Sequence, residues 1–299
     1  MVEVALVTWS GLPHLGEDDR ELARALEARG ASVRPAVWSD PSTRWERFDL
    51  AVVRSTWDYH RHAAKFLEWI GQVERRVPLW NPPHVLRWNS SKTYLAALEA
   101  RGVRIVPTRF CRGPAAVREA LRTERWPRAV VKPAVSADAY RTVLVDGDAA
   151  GRGAAPLPEI LEDEEMLVQP YLAEVERSGE RSLVFLGGTY SHAFLRAPKL
   201  AASPSALLEG APARPTEAER QAADRAVRAA PGPTVYARVD LVPNAHGPPR
   251  LMELELIEPF LGLRSSGGSA ERFAELLLEP ARRSLPPETE NQVTKSDET

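Results

Sequence analysis

Two stretches near the C-terminal end, residues 236–242 and 250–259, constrain the fold more than any other part of the chain. In both, apolar residues alternate with charged ones, and the segment between them (residues 243–249, with three prolines and Gly247) is all turn chemistry. The pattern predicts a hairpin. In its second strand Met252, Leu254 and Leu256 take one face, while Glu253 and Glu255 take the other. Asp240 shares a face with Arg238, and a suitable register sets it opposite Glu253. Three carboxylates converging on one sheet face repel each other unless positive charge sits between them. A hard divalent cation, which prefers carboxylate oxygens, is the natural partner. The same alternation also fits an edge ribbon with a solvated acidic face, and what separates the two readings lies upstream.

The 299 residues suffice for two or three domains of the usual size, and 43% apolar with 27% charged residues implies a packed globular core. A net charge of −2 provides no basic field for nucleic acid. The single Cys111 excludes an intramolecular disulfide and suits a reducing compartment. The N-terminus has an acid, Glu3, where a signal peptide needs basic residues, and no apolar run approaches a membrane span. The expectation is a soluble cytoplasmic protein. Only five of the 39 basic residues are lysines (Lys65, Lys92, Lys132, Lys199, Lys295). A lysine kept in an arginine-rich background marks a place for a compact ammonium rather than a planar fork.

Taken in order, residues 2–8, 32–38 and 48–53 read as buried strands and residues 17–29 as a helix stopped by Gly30. This is βαβ patterning, so residues 1–84 are expected to form a small doubly wound α/β domain. Ligands of such sheets bind beyond the C-terminal strand ends. There the chain reads Arg54-Ser55-Thr56-Trp57-Asp58-Tyr59. Arg54 could clamp a substrate carboxylate between Trp57 and Tyr59, or close the loop through an Arg–Asp pair. After the rigid Pro78-to-Pro83 boundary, Asn89 to Lys92 should cap a helix running to Ala100. Strands are expected at 103–110, 129–133 and 142–145, with a helix at 114–123. Residues 136–141 form a glycine-free flap. Residues 147–165 read as a linker, 166–172 as a strand running into a break, and 181–197 as a hairpin turned by Gly187-Gly188. Helices are expected at 216–229 and 270–284, and a disordered tail over 286–299. This gives domains at 1–84, 85–168 and 169–285.

The ordered set Lys92, Lys132-Pro133, Gln169-Pro170-Tyr171-Leu172, Gly179-Glu180-Arg181-Ser182, Arg196, Arg238-Val239-Asp240 and Glu253-Leu254-Glu255 resembles the ATP-grasp superfamily. Three strings carry the likeness further: residues 54–59, Arg87-Trp88-Asn89 with Lys92, and residues 253–259. They look most like the subgroup that includes the D-cycloserine biosynthetic ligase. That subgroup is distantly similar to glutathione synthetases and ribosomal-protein glutamate ligases. The resemblance implies an ATP-grasp fold: the α/β domain, a small central lid domain and a C-terminal antiparallel-sheet domain.

It also implies roles. Lys92 and Lys132, with Ser136 in the flap, would touch nucleotide phosphates. Gln169, Tyr171 and Leu172 would form the adenine hinge, and either Glu176 or Glu180 would hold the ribose. Asp240, Glu253 and Glu255 would ligate Mg²⁺, two ions by the family pattern, with Mn²⁺ able to substitute. Arg196 would face the transferred phosphoryl group as a catalytic residue. Arg54, with Ser55, Trp57, Asp58 and Tyr59, would orient the substrate. The implied activity is ATP-dependent activation of a small amino acid-like carboxylate as an acyl-phosphate, followed by attack of an amine-type nitrogen. Either one substrate closes on itself or two are joined. Phosphoryl transfer to a hydroxyl and non-catalytic nucleotide binding are the alternatives, and a dimer is possible. Two departures stand out: Glu255 occupies a position that is Asn in many members, and the acceptor-facing segment 199–210 lacks paired glycines.

Overall fold

The structure is a computed structural model and describes residues 1–147, 157–197, 210–244 and 247–283. The expectations for the linker interior, for Lys199 and most of its loop, and for the tail lie outside the described residues. Three four-stranded sheets organise the chain. The first is parallel, in the order β2 (Ala31–Val37), β1 (Val2–Thr8), β3 (Leu50–Ser55), β4 (Leu79–Trp80). Strand β1 is buried along nearly its whole length because both faces are covered. Val4 and Leu6 pack with the helices Glu17–Glu27 and Ser269–Arg283, while Ala5 and Val7 face Phe66 and Ile70 of the helix Ala63–Val73. Burial on both faces explains why this strand reads as a continuous apolar run instead of an alternation.

The second sheet is antiparallel: β5 (Arg109–Arg112), β8 (Glu165–Pro170), β6 (Arg128–Pro133), β7 (Val143–Asp146). The third is also antiparallel: β10 (Thr189–Arg196), β9 (Glu180–Leu186), β11 (Tyr236–Val242), β12 (Arg250–Glu255). The β9–β10 turn has Gly187 at φ 59° and Gly188 at φ 71°, the two positive angles that a tight hairpin requires. The helix Glu217–Arg228 covers this sheet and opens with a capping box between Thr216 and Glu219. Among the described residues no helix is long and apolar enough to cross a membrane.

Two expectations need correction. Residues 103–110 do not form one strand. Ile105 bridges to Leu251 at the open edge of β12, and only Arg109–Arg112 joins the second sheet. Pro107, which cannot donate to a ladder, separates the two pieces. Nor does Asn89 cap the following helix. Its amide donates to the Leu254 carbonyl and accepts from the Leu256 amide, each at 2.8 Å. Asn89 therefore satisfies one backbone group of β12 and one just past its end that no neighbouring strand pairs.

A buried polar seam fixes the first sheet to the third. The Asn81 side chain donates to the carbonyls of Tyr236 (2.9 Å) and Leu256 (2.8 Å) and accepts from the Val235 amide (2.7 Å). The Tyr236 hydroxyl lies 2.8 Å from the Val53 carbonyl. Replacing Asn81 with alanine would orphan these buried backbone groups. The expected loss is about 3 kcal/mol, with a melting temperature lower by about 6–12 °C. Differential scanning calorimetry checks this, and a drop under about 2 °C would mean that the seam carries no net stability.

Candidate active site

The register of β11 on β12 places Asp240 opposite Glu253 and Arg238 opposite Glu255, while β9 sets Ser182 beside Asp240. One carboxylate oxygen from each of Asp240, Glu253 and Glu255 falls within 4.8 Å of the others. Cations from four separate segments answer this charge. The Arg238 guanidinium meets Asp240 at 2.9 Å and Glu255 at 2.6 Å. Arg196, at the end of β10, meets Asp240 at 3.2 Å. Lys132 on β6 donates to Glu253 at 3.2 Å, and Lys92 stands 3.7 Å from the same carboxylate. Ser182 completes Asp240 with a 2.5 Å hydrogen bond.

Burial and charge then split the acids into two groups. Burial alone would raise all of them. It is outweighed at Glu253 by Lys92 and Lys132, and at Asp240 by Arg238 and Arg196, so both carboxyls are held below the usual range. At Glu180 burial wins, with Asp240 adding to it, and the group is pushed up to about 7. At Glu258 burial together with Glu255 pushes it up to about 8.

Glu180, Glu253, Glu255 and Glu258 line a cavity of about 720 Å³ together with Lys92, Lys132, Arg196 and Arg238, while Asp240 is fully buried behind its wall. The cavity lies between the second and third sheets, with the loop after β3 at one end. That size suits a nucleotide with a small co-substrate. Three converging carboxylates form the all-oxygen donor set that Mg²⁺ requires, and two lysines beside them suit phosphates. The residues thus fit both groups.

Ser136 lines the cavity, as do Gln169, Tyr171, Leu172, Glu180 and Arg196. Ser136 is held by the Pro133 carbonyl at 3.0 Å, and its own carbonyl accepts from Lys92. The Gln169 amide donates to Thr108 at 2.9 Å. Glu176 lies outside the cavity lining and accepts from the Tyr171 hydroxyl, which leaves Glu180 as the acid facing the cavity. Trp57 and Tyr59 form a wall of the cavity. His192 is a satisfied structural histidine, its Nε2 2.7 Å from the Leu261 carbonyl.

Arg54 does not reach the site, and the reading of it as a substrate clamp is overturned. Its side chain is 1% exposed. Nε donates to Asp19 at 3.0 Å, Nη2 donates to the Pro259 carbonyl at 3.0 Å, and the guanidinium stacks over Tyr236 and Phe273. Ser55 is likewise buried on Asp19, and Asp58 accepts from Trp38 Nε1 at 2.8 Å. The reason is topological: a helix earlier in the chain brings Asp19 under the end of β3, and a buried guanidinium must be paired.

Sequence reasoning passed over several cavity residues. His60 and Tyr140 line it, with ring centroids 4.9 Å apart, so the flap rests on the loop after β3. Asp138, Ala139 and Arg141 take left-handed φ angles of 51–57°, and an Arg141–Glu164 pair at 2.6 Å secures the flap base. Glu258 and Phe260, beyond β12, also line the cavity.

Two antiparallel sheets closing on a lysine- and carboxylate-lined cavity, with a parallel α/β layer at one end, define an ATP-grasp ligase: an ATP-dependent enzyme of the C–N-bond-forming class, used with Mg²⁺. Residues 4–81 match the family described as D-cycloserine synthetase DcsG, N-terminal domain. The chain is 34% identical to the cycloserine biosynthesis protein DcsG of Streptomyces lavendulae, over 92% of this chain and 98% of that one. The crystal structure of D-cycloserine synthetase DcsG superposes with a TM-score of 0.83 at 31% identity, covering 93% of this chain and 99% of that one. The chain belongs to the DcsG family of ATP-grasp ligases. A RimK domain ATP-grasp protein from Sphaerobacter thermophilus shares the fold, with a TM-score of 0.66 at 18% identity over 93% of this chain and all of that one. So does D-alanine–D-alanine ligase from Bacillus anthracis, with a TM-score of 0.62 at 13% identity over 95% and 98% of the two chains.

Two outcomes follow from this geometry. Arg54→Ala should lower stability by about 3–5 kcal/mol by stranding the buried Asp19. Differential scanning calorimetry checks this, and a loss under about 1 kcal/mol would mean that Arg54 is not the charge partner of the buried Asp19. Separately, Glu180 and Glu258 have raised folded-state pKa values of about 7 and about 8. Such groups contribute stability that is complete below the unfolded carboxyl value and is lost as pH rises through the folded one. The ligand-free protein should therefore lose thermal stability between about pH 5 and about pH 8, and Mg²⁺ with nucleotide should flatten the slope. A flat ligand-free profile in a pH series of melting curves would contradict this assignment.

Proposed function

We propose that this protein activates the carboxylate of an amino acid-like substrate as an acyl-phosphate and closes that substrate on its own amine-type nitrogen, as in cycloserine-type ring formation from an O-ureidoserine-like compound. The convergence of Asp240, Glu253 and Glu255 with Lys92, Lys132 and Arg196 in one cavity carries the proposal. The likeness to a cycloserine biosynthesis protein supports the ring-forming version.

In this reading Gln169, Tyr171 and Leu172 receive the adenine and Glu180 the ribose. Lys92 and Lys132 follow the phosphates as point charges while the flap around Ser136 keeps water from the activated acyl group. Bound Mg²⁺, held by Asp240, Glu253 and Glu255, supplies charge neutralisation for the departing phosphoryl group. Arg196 steadies the negative oxygens of the acyl-phosphate. A substrate carboxylate oxygen bonds to the γ-phosphorus as the bond to ADP breaks. The substrate nitrogen then bonds to the acyl carbon and loses a proton, while the carbon–oxygen bond to phosphate breaks. With O-ureidoserine the closed ring still carries the carbamoyl group, which water removes as carbamate. Trp57 and Tyr59 wall the substrate end, and the reducing-compartment composition fits a cytoplasmic enzyme.

Phosphate release from Mg·ATP tests this, with O-ureidoserine, single amino acids and amino acid pairs offered in turn. Release with O-ureidoserine alone is expected, and a strict requirement for two compounds would replace ring closure with intermolecular ligation. Glu253→Ala should reduce release by at least about 10³-fold, measured at a temperature where the variant is folded, since it also strands Lys92 and Lys132. Undiminished turnover in that variant would rule out the metal assignment.

A further inference from the structure

We propose that Glu258 anchors the ammonium group of the amino acid substrate, against the aromatic wall of Trp57, Tyr59 and Phe260; this rests on the function proposed above and deepens it. Strand β12 ends at Glu255, and the next two residues, Leu256 and Ile257, are both buried. The period-two alternation therefore stops, and Glu258 is turned into the cavity at the end nearest the first sheet. Its position is fixed from two sides. Pro259 follows it, with its carbonyl bound to Arg54, and the Glu258 carbonyl accepts from Trp57 Nε1 at 3.3 Å.

The cations of the two sheets are engaged elsewhere, and Arg61, which also lines the cavity, lies over the Tyr140 ring. Lys132 and Lys92 are on Glu253, with Lys92 also on the Ser136 carbonyl; Arg238 is on Asp240 and Glu255, and Arg196 is on Asp240. Among the described residues none lies within ion-pair distance of Glu258. A desolvated carboxylate beside Glu255 and without a fixed cation favours a cation brought by the ligand, and burial and Glu255 together already push its pKa to about 8. Glu180, another acid of the cavity lining, sits on β9 beside the nucleotide-facing groups and serves that end.

The aromatic surface argues for the same occupant. Trp57 and Phe260 are 43% and 41% exposed although both border the cavity, and aromatic faces attract ammonium groups. A zwitterionic substrate placed between Glu258 and Arg196 has one orientation only, with its carboxylate toward the phosphates. Glu258 thereby sets specificity for an amino acid over a simple carboxylic acid.

Calorimetric titration decides this, using the full chain saturated with Mg²⁺ and a non-hydrolysable ATP analogue. The probes are O-ureidoserine and its des-amino counterpart, 3-(ureidooxy)propanoate. Wild type should bind the amino compound about 10–100-fold more tightly, the range of a charge-assisted hydrogen bond. E258Q, which keeps the shape and removes the charge, should shrink that ratio to about threefold or less while nucleotide affinity and melting temperature hold. A preference retained by E258Q, an equal loss for both compounds, or no preference in wild type that binds the amino compound would each overturn the anchor. Wild type that binds nucleotide but neither compound would reject the substrate reading itself, and the anchor with it.

Discussion

The balance of buried charge over β11 and β12 is the constraint on which the rest of the structure depends. Four carboxylates, Glu180, Asp240, Glu253 and Glu255, cluster there with Lys92, Lys132, Arg196 and Arg238. Removing either sign would leave uncompensated charge in a low-dielectric space, which costs several kcal/mol per ion. The cations do not come from one element: Lys132 belongs to the second sheet, and Arg196 and Arg238 belong to the third. Lys92 sits in the connection before a helix. Charge compensation therefore also holds the second sheet over the third, and the cavity between them is a consequence of it. This arrangement is suited to exchange. In the proposed reading, phosphates and metal substitute for lysine–carboxylate and arginine–carboxylate contacts, so ligand entry replaces charge partners rather than creating new buried charge.

A second device fixes the end of the cavity nearest the first sheet. Asn81 and Tyr236 tie the first sheet to the third through hydrogen bonds to backbone, and Arg54 adds its pairs with Asp19 and the Pro259 carbonyl. Such bonds are directional, so they set the position of the loop after β3 to within the tolerance of a hydrogen bond. The wall of Trp57 and Tyr59 is thereby registered against the exit of β12, where Glu258 stands. Arg54 acts on the site from behind it: it anchors the segment that carries Glu258 without touching the cavity.

The legible parts of the sequence were those in which local pattern decides geometry. Alternation plus a proline-rich turn implied the pairing of Asp240 with Glu253, and the observed register has it. Hydrophobic runs implied the buried parallel strands, and the binding end of that sheet followed from strand direction. Arg54 was not legible, because a guanidinium after a strand looks the same whether it faces a ligand or a buried Asp19 thirty-five residues earlier. Asn89 failed in a related way: its amide chose the open edge of β12 over its own helix, a long-range competition that cap propensities do not register. The flap takes left-handed angles without glycine, and they are held by the Arg141–Glu164 pair and by Tyr140 resting on His60. Glu258 was hidden because the alternation that placed Glu253 and Glu255 ends before it.

The division of labour follows from these two devices. The groups assigned to nucleotide and metal stand on strands and connections of the second and third sheets, where ladder register fixes them and a shift of one residue would turn every carboxylate away from the cavity. The groups assigned to the substrate, Trp57, Tyr59, Glu258 and Phe260, stand on loops at strand ends, where a side chain can change without disturbing a ladder. In the proposed reading phosphoryl chemistry is built into the fold, whereas acceptor choice is carried by loops joined through the Trp57–Glu258 hydrogen bond. In this chain the charge balance between two sheets constrains the backbone and the ends of the strands do not, so the loops can vary while the sheets keep their places.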